Sequence, residues 1–190
     1  MTLPVLFDIA IAVVTIGAIL AYRDYAPMRV VFRYFTTQSN VLCAVSCLLA
    51  ALFRLGGEVP QSLLLLRYAG TTAVTVTMLT VLLFLGPFVY GYGELFKGPD
   101  LYLHLICPAA SIASFFLWDK PDMAPEDMLL GVLPVALYGM LYLRHVIYTP
   151  EPSERHWEDF YGFNRLGKWP LSLLMMLAAT ALVSWALWTA

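Results

Sequence analysis

The residues Arg33-Tyr34-Phe35-Thr36-Thr37-Gln38-Ser39-Asn40 crowd two hydroxyl-bearing threonines, a serine and two amides into the mouth of an apolar run that continues through Phe53. In hydrocarbon an unpaired polar group is costly, so such a run needs partners, water or chemistry. A threonine hydroxyl is a weak nucleophile until a neighbouring base takes its proton, and histidine is the side chain best poised near neutrality to do so. His104 is the candidate base, because imidazole is rare in apolar segments and usually faces a cavity there. Asp100, one helical turn before His104, either orients the imidazole or caps a helix that starts after Gly98-Pro99. Asn40, Gln38 and Ser39 either donate to a developing oxyanion or hydrogen-bond between helices.

Helices must position these groups. The chain is 190 residues long, 61% hydrophobic and 13% charged, with a mean hydropathy of +0.75. Soluble domains run at roughly 45–50% apolar and about 25% charged. The composition therefore predicts an all-α polytopic membrane protein, a six-transmembrane-helix bundle forming one membrane domain over residues 1–190. The expected spans are about 4–22, 34–53, 68–88, 101–118, 125–148 and 169–188. These runs are continuous rather than alternating, which disfavours strands. Arg23-Asp24, Gly56-Gly57-Glu58, Lys97-Gly98-Pro99-Asp100 and Asp119-Lys120-Pro121-Asp122 punctuate them, and no internal repeat is evident. Interfacial aromatics such as Trp118, Trp157, Trp169 and Tyr148 lie near the expected ends. The first run lacks a basic leader and a small-residue cleavage site, so no cleavable signal peptide is expected.

Spans two and four begin on the same side of this topology. Thr36 lies three residues past Arg33, and His104 four past Asp100. At about 1.5 Å of rise per residue, both sit roughly 4–6 Å inside their helices. Thr36, Asn40, Cys43 and Cys47 share one face of span two; His104, Pro108, Ser111 and Phe115 share one of span four; Tyr138, Tyr142 and His145 form a stripe on span five. Small residues on such stripes also let membrane helices pack closely. Loops one, three and five carry Arg23, Arg29, Arg33, Lys97, Arg144, Arg155, Arg165 and Lys168, against Arg54, Arg67 and Lys120 on the other side. That bias predicts these loops in the cytoplasm and both termini outside.

Other functions are disfavoured. A net charge of −2 without a basic patch argues against nucleic acid. Cys43, Cys47 and Cys107 fall inside apolar segments, without disulfide or zinc spacing. No metal site and no cofactor are expected. Asp8 reads as a partner for Arg54 or Arg67, while His156, Glu158 and Asp159 read as a solvated loop. Gly91-Tyr92-Gly93 reads as a flexible connection.

Three motifs carry a resemblance: Tyr34-Phe35-Thr36-Thr37-Gln38-Ser39-Asn40, then Leu103-His104-Leu105-Ile106-Cys107-Pro108, then Phe163-Asn164-Arg165-Leu166-Gly167. In their order, in size and in span count, the chain resembles bacterial six-span relatives of the androgen-induced and androgen-dependent integral membrane hydrolases. The resemblance implies a threonine nucleophile at the head of span two, matched by Thr36 rather than its neighbour Thr37, and a histidine matched by His104. It implies hydrolysis of lipid esters, notably fatty acid esters of hydroxy fatty acids, in a bacterial cytoplasmic (inner) membrane. This chain departs from the animal members in having Gln38-Ser39-Asn40 after the threonines and no second histidine near His104, which touches substrate more than chemistry. The expectation is an intramembrane threonine hydrolase whose substrate is a lipid or fatty-acyl ester drawn from the bilayer, its oligomeric state open. The alternatives are an acyltransferase using the same Thr/His pair, or a small transporter or channel lined by His104, Asp8 and the polar stripe of span two.

Overall fold

A computed structural model describes residues 2–164 and 167–190. Arg165, one of the residues behind the charge bias, and the Arg165-Leu166 pair of the third motif lie outside the described residues. Six helices are long and apolar enough to cross a membrane: α1 Leu3–Asp24, α2 Phe35–Gly56, α3 Gln61–Tyr90, α4 Pro99–Asp119, α5 Pro125–Val146 and α6 Trp169–Thr189. The chain is an integral multi-pass membrane protein built as an all-α six-helix bundle.

α3 is the hub. It packs against α2, α4, α5 and α6, while α1 lies against α2 and α4 on the far side. Many of its buried positions are small or hydroxylated (Gly70, Thr71, Thr72, Ala73, Thr75), which lets four helices approach one axis. Gly70 sits where a Cβ would come within 3.3 Å of the Cys43 Cα on α2. Outward faces are the reverse: Val13, Leu83, Leu117, Leu129, Leu174 and Leu182 are exposed, as a lipid-facing belt requires.

α3 begins seven residues earlier than the 68–88 expected. Arg67, expected near a helix end at the membrane surface, is instead fully buried within the span. Its charge is neutralised there: Nε donates to Asp119 Oδ2 at 2.9 Å and a terminal nitrogen to Asp8 Oδ1 at 3.3 Å. Arg54 bridges the same two carboxylates, and Ser114 donates to Asp8 at 2.9 Å. α1, α2, α3 and α4 are thus tied at one end by two aspartates and two arginines.

Prolines shape the opposite end. Pro108 has no N–H for the carbonyl four residues back, and that carbonyl belongs to His104. The helix answers by widening over Tyr102–Ile106, where the Cys107 N–H reaches back five residues to the Tyr102 carbonyl. The end of α3 widens likewise over Val81–Tyr90 around Pro87. Gly91, at φ 80°, closes it by donating to the Gly86 carbonyl at 3.0 Å.

Candidate active site

Thr36 stands in the first turn of α2. The preceding cap residue, Tyr34, supplies no side-chain acceptor; the Phe35 N–H instead donates to the Tyr161 hydroxyl at 3.0 Å. Tyr161 comes from the loop after α5, which folds back over the mouth of the bundle. Asp159 organises that loop, accepting from the Tyr142 hydroxyl and from the N–H groups of Phe163 and Asn164, each at 2.8 Å. The expectation that Asp159 is simply solvated is thereby corrected: an Asx-type turn needs its carboxylate inside the loop. His145 Nδ1 donates to the Arg155 carbonyl at 2.6 Å, and its ring stacks on Trp157, pinning the same loop to α5. Tyr138, on the same stripe, donates to the Arg33 carbonyl at 2.8 Å just before α2.

His104 is buried in the widened turn of α4, and its Nε2 lies 3.5 Å from Thr36 Oγ1. Nδ1 lies 2.9 Å from the Leu95 carbonyl. A carbonyl only accepts, so Nδ1 carries a proton, and in the neutral imidazole Nε2 presents its lone pair to the threonine. The Gly91-Tyr92-Gly93 stretch, expected to be only a flexible connection, contains part of the one-turn helix Tyr92–Leu95 that presents this carbonyl. Left-handed glycines bracket that turn, Gly91 at φ 80° and Gly98 at φ 51°. Residues with a Cβ are strained in that conformation.

The role expected for Asp100 changes accordingly. It takes the Tyr22 hydroxyl, and its carboxylate is 3.8 Å from Nδ1. That separation is beyond hydrogen-bond length. The Leu95 carbonyl holds the ring, and Asp100 stands near it without bonding it.

The three candidate oxyanion donors are also placed differently. Asn40 Nδ2 donates to the carbonyls of Thr36 (2.8 Å) and Leu103 (3.0 Å), so both its hydrogens are committed. Ser39 bonds the Thr36 carbonyl at 3.1 Å and Thr77 at 3.0 Å, and Gln38 reaches back to the Phe32 carbonyl at 2.9 Å. These side chains hold helices and backbone. Asn40 clips α2 to α4 at the residue before His104, which fixes the distance between hydroxyl and imidazole.

Donors near Thr36 come from elsewhere. The N–H groups of Thr36 and Thr37 belong to the first helical turn, which has no intrahelical acceptors and carries the positive end of the helix dipole. The Tyr161 hydroxyl lies beside the Thr36 and Tyr138 side chains, and burial pushes its pKa up to about 12, so it keeps its proton. Because its oxygen accepts from Phe35, its O–H is left to donate. Tyr161 precedes the Phe163–Gly167 motif by two residues; the aromatic cluster around it was legible only as interfacial. Thr37 is buried beside Thr36, but the imidazole is bonded to Thr36.

Two cavities meet at Thr36. A narrow slot of about 80 Å³ runs between α3, α5 and α6, walled by Val76, Val135, Gly139, Leu173 and Met176 among others. A wider cavity of about 420 Å³ opens toward loops one and three and holds His104, Asp100 and Glu94. Thr36 and Tyr161 line both. Among the described residues no cluster of three or more His, Cys, Asp or Glu side chains is arranged to hold a metal ion. The fold and site thus define a class: a six-helix membrane bundle with a threonine and a histidine in contact at the junction of two cavities. No protein-family model, curated protein or solved structure matches the chain.

Proposed function

We propose that the protein is an intramembrane hydrolase of lipid esters, with Thr36 as nucleophile and His104 as general base. The observation that carries this reading is the 3.5 Å approach of Thr36 Oγ1 to Nε2 of His104 at the point where the apolar slot meets the polar cavity. An acyl chain in the slot puts its ester carbonyl beside Thr36 and its alcohol half in the wider cavity.

The steps follow from the groups present. Nε2 takes the Thr36 proton as Oγ1 bonds to the ester carbon, and the carbonyl oxygen becomes an oxyanion facing the Thr36 and Thr37 N–H groups and the Tyr161 O–H. The imidazolium, held by the Leu95 carbonyl and near the Asp100 carboxylate, returns the proton to the leaving alcohol as the C–O bond breaks. Water then gives its proton to Nε2 and attacks the acyl-threonine, releasing a fatty acid and restoring the Thr36 hydroxyl. The resemblance to the androgen-induced and androgen-dependent membrane hydrolases agrees with this chemistry. The charge bias of loops one, three and five supports a site on the cytoplasmic side of a bacterial inner membrane.

The test is direct. In detergent or nanodiscs, Thr36→Ala abolishes ester turnover and covalent labelling by a fluorophosphonate, while circular dichroism and melting stay as in the parent. Retention of both activities by the folded variant overturns the assignment.

A further inference from the structure

The carbonyl that holds the His104 ring comes from a turn with little to fix it. Residues 91–98 connect α3 to α4, and all of them except Leu95 and Phe96 are exposed. The Lys97–Glu94 ion pair lies within the turn and ties it to nothing else. Among the described residues, one side-chain hydrogen bond besides that of His104 joins this turn to a membrane helix. The Tyr92 hydroxyl donates to the Leu82 carbonyl of α3 at 2.6 Å.

Two features of α3 prepare that bond. Over Val81–Tyr90 the helix is widened to five-residue hydrogen bonding, so the N–H that would meet the Leu82 carbonyl belongs to position 87. Pro87 has no N–H, and the carbonyl is left for an outside donor. One residue earlier, Gly86 leaves the space in which the Tyr92 ring lies. A Cβ on Gly86 would stand 2.3 Å from Tyr92 Cε1 and 2.5 Å from Cδ1, so ring and side chain exclude one another. The ring also stacks on Phe96, with centroids 5.9 Å apart and planes 10° apart. The Phe96 N–H donates to the Tyr92 carbonyl at 3.1 Å, and Leu95 is carried between these two anchored residues.

Resting on the threonine hydrolase reading above, we propose that Tyr92 is a positioning residue for the reaction. Seated on Gly86 and bonded to the carbonyl that Pro87 leaves free, it fixes the turn so that the Leu95 carbonyl keeps a hydrogen on His104 Nδ1. Neutral imidazole carries one hydrogen, on either nitrogen. With the acceptor displaced, that hydrogen moves to Nε2 in a fraction of the molecules, and these have no lone pair for the Thr36 hydroxyl. Tyr92 lines neither cavity, so its effect reaches the chemistry only through the ring of His104.

Tyr92→Phe removes the hydroxyl and keeps the ring. The full-length protein, carrying isotopically labelled histidine, is read by nitrogen NMR at the alkaline end of the His104 titration, where the ring is neutral. The parent shows its hydrogen on Nδ1 and a bare Nε2, whereas Tyr92→Phe shows a mixture of the two tautomers. In the same variant kcat on monooleoylglycerol and the rate of fluorophosphonate labelling fall about twofold to tenfold, the range one net hydrogen bond spans, with KM unchanged. Gly86→Ala keeps the hydroxyl but denies the ring its seat, and moves both readings the same way. A parent ring with its hydrogen on Nε2, or a folded Tyr92→Phe with the parental tautomer, overturns the positioning role whatever the activity. A shifted tautomer with parental kcat and labelling rate overturns it as well. Failure of the hydrolase reading has a separate sign, Thr36→Ala indistinguishable from the parent in turnover and labelling, and it removes the role of Tyr92 in catalysis too.

Discussion

At the scale of single residues, the chemistry turns on which hydrogen each group owns. His104 is useful to Thr36 only because the Leu95 carbonyl holds the Nδ1 proton at 2.9 Å. Tyr161 plays two parts through one atom in the proposed reaction: its oxygen accepts from the Phe35 N–H and so caps α2, while its O–H is left to donate to a carbonyl bound beside Thr36. Replacing it by phenylalanine removes both. Loss of one oxyanion donor typically slows kcat by about a hundredfold to a thousandfold, with KM little changed. Tyr161→Phe is expected to show that split, measured on monooleoylglycerol, together with a small loss of thermal stability from the missing cap. A proportionate rise in KM with kcat intact would make Tyr161 a binding residue and leave the oxyanion to the helix N–H groups alone. The tyrosine also sets an alkaline limit. Burial holds its pKa up at about 12, so its proton is present through the neutral and mildly alkaline range and the donor is lost only as pH approaches that value. Any fall in kcat at neutral or mildly alkaline pH would then come from another group.

Helices place these residues, and here the sequence was informative to different depths. Six apolar runs set the span count directly, and the shared side of spans two and four suggested the pairing of Thr36 with His104, because both follow from rise per residue and chain direction. The start of α3 is misjudged from sequence because an arginine normally marks a membrane boundary; only the partners Asp8 and Asp119, 59 and 52 positions away, reveal it as interior. The roles of Asn40, Ser39 and Gln38 were not legible either, since a polar side chain looks the same in sequence whether it meets a substrate or a carbonyl on the next helix. Leu95 was invisible for a deeper reason: its backbone, not its side chain, holds the imidazole. Close helix packing was readable only in part. Gly131 on α5 faces Ser184 on α6 and Thr72 on α3, and a Cβ there would stand 2.2 Å from Ser184 Oγ, 2.9 Å from Thr72 Oγ1 and 3.1 Å from Ser184 Cβ. Ser184 is itself held by the Met128 carbonyl and the Tyr68 hydroxyl, so it has little freedom to turn away. Gly131→Ala must push α6 outward, and overpacking of this kind costs about 1–3 kcal/mol. Equilibrium unfolding in mixed micelles should read that loss. A variant as stable as the parent would mean that α6 is loosely docked.

Considered whole, the molecule has two unlike ends. One holds hydroxyls, an imidazole and open space; the other holds Asp8, Arg54, Arg67 and Asp119 in a nearly sealed cluster that joins α1 to α4. A transporter reading would connect them, because Cys43, Ser111 and Thr71 continue the polar line between the cluster and α2. The hydrolase reading separates them: the cluster holds the bundle together, and the chemistry happens elsewhere. Arg67→Met decides between the two. Removing the guanidinium leaves two buried carboxylates facing one another with only Arg54 between them, and breaking a buried charge set in this way costs about 3–5 kcal/mol. The protein should then inactivate at lower temperature and in less denaturant. The fraction that remains folded should cleave ester at the parental rate, because nothing in the Thr36–His104–Leu95 geometry touches Arg67. Specific activity per folded molecule, with the folded fraction counted by circular dichroism, separates these quantities. If the folded variant is as inactive as Thr36→Ala while melting normally, the two ends are coupled, and the polar line through Cys43 and Ser111 becomes a pathway rather than packing.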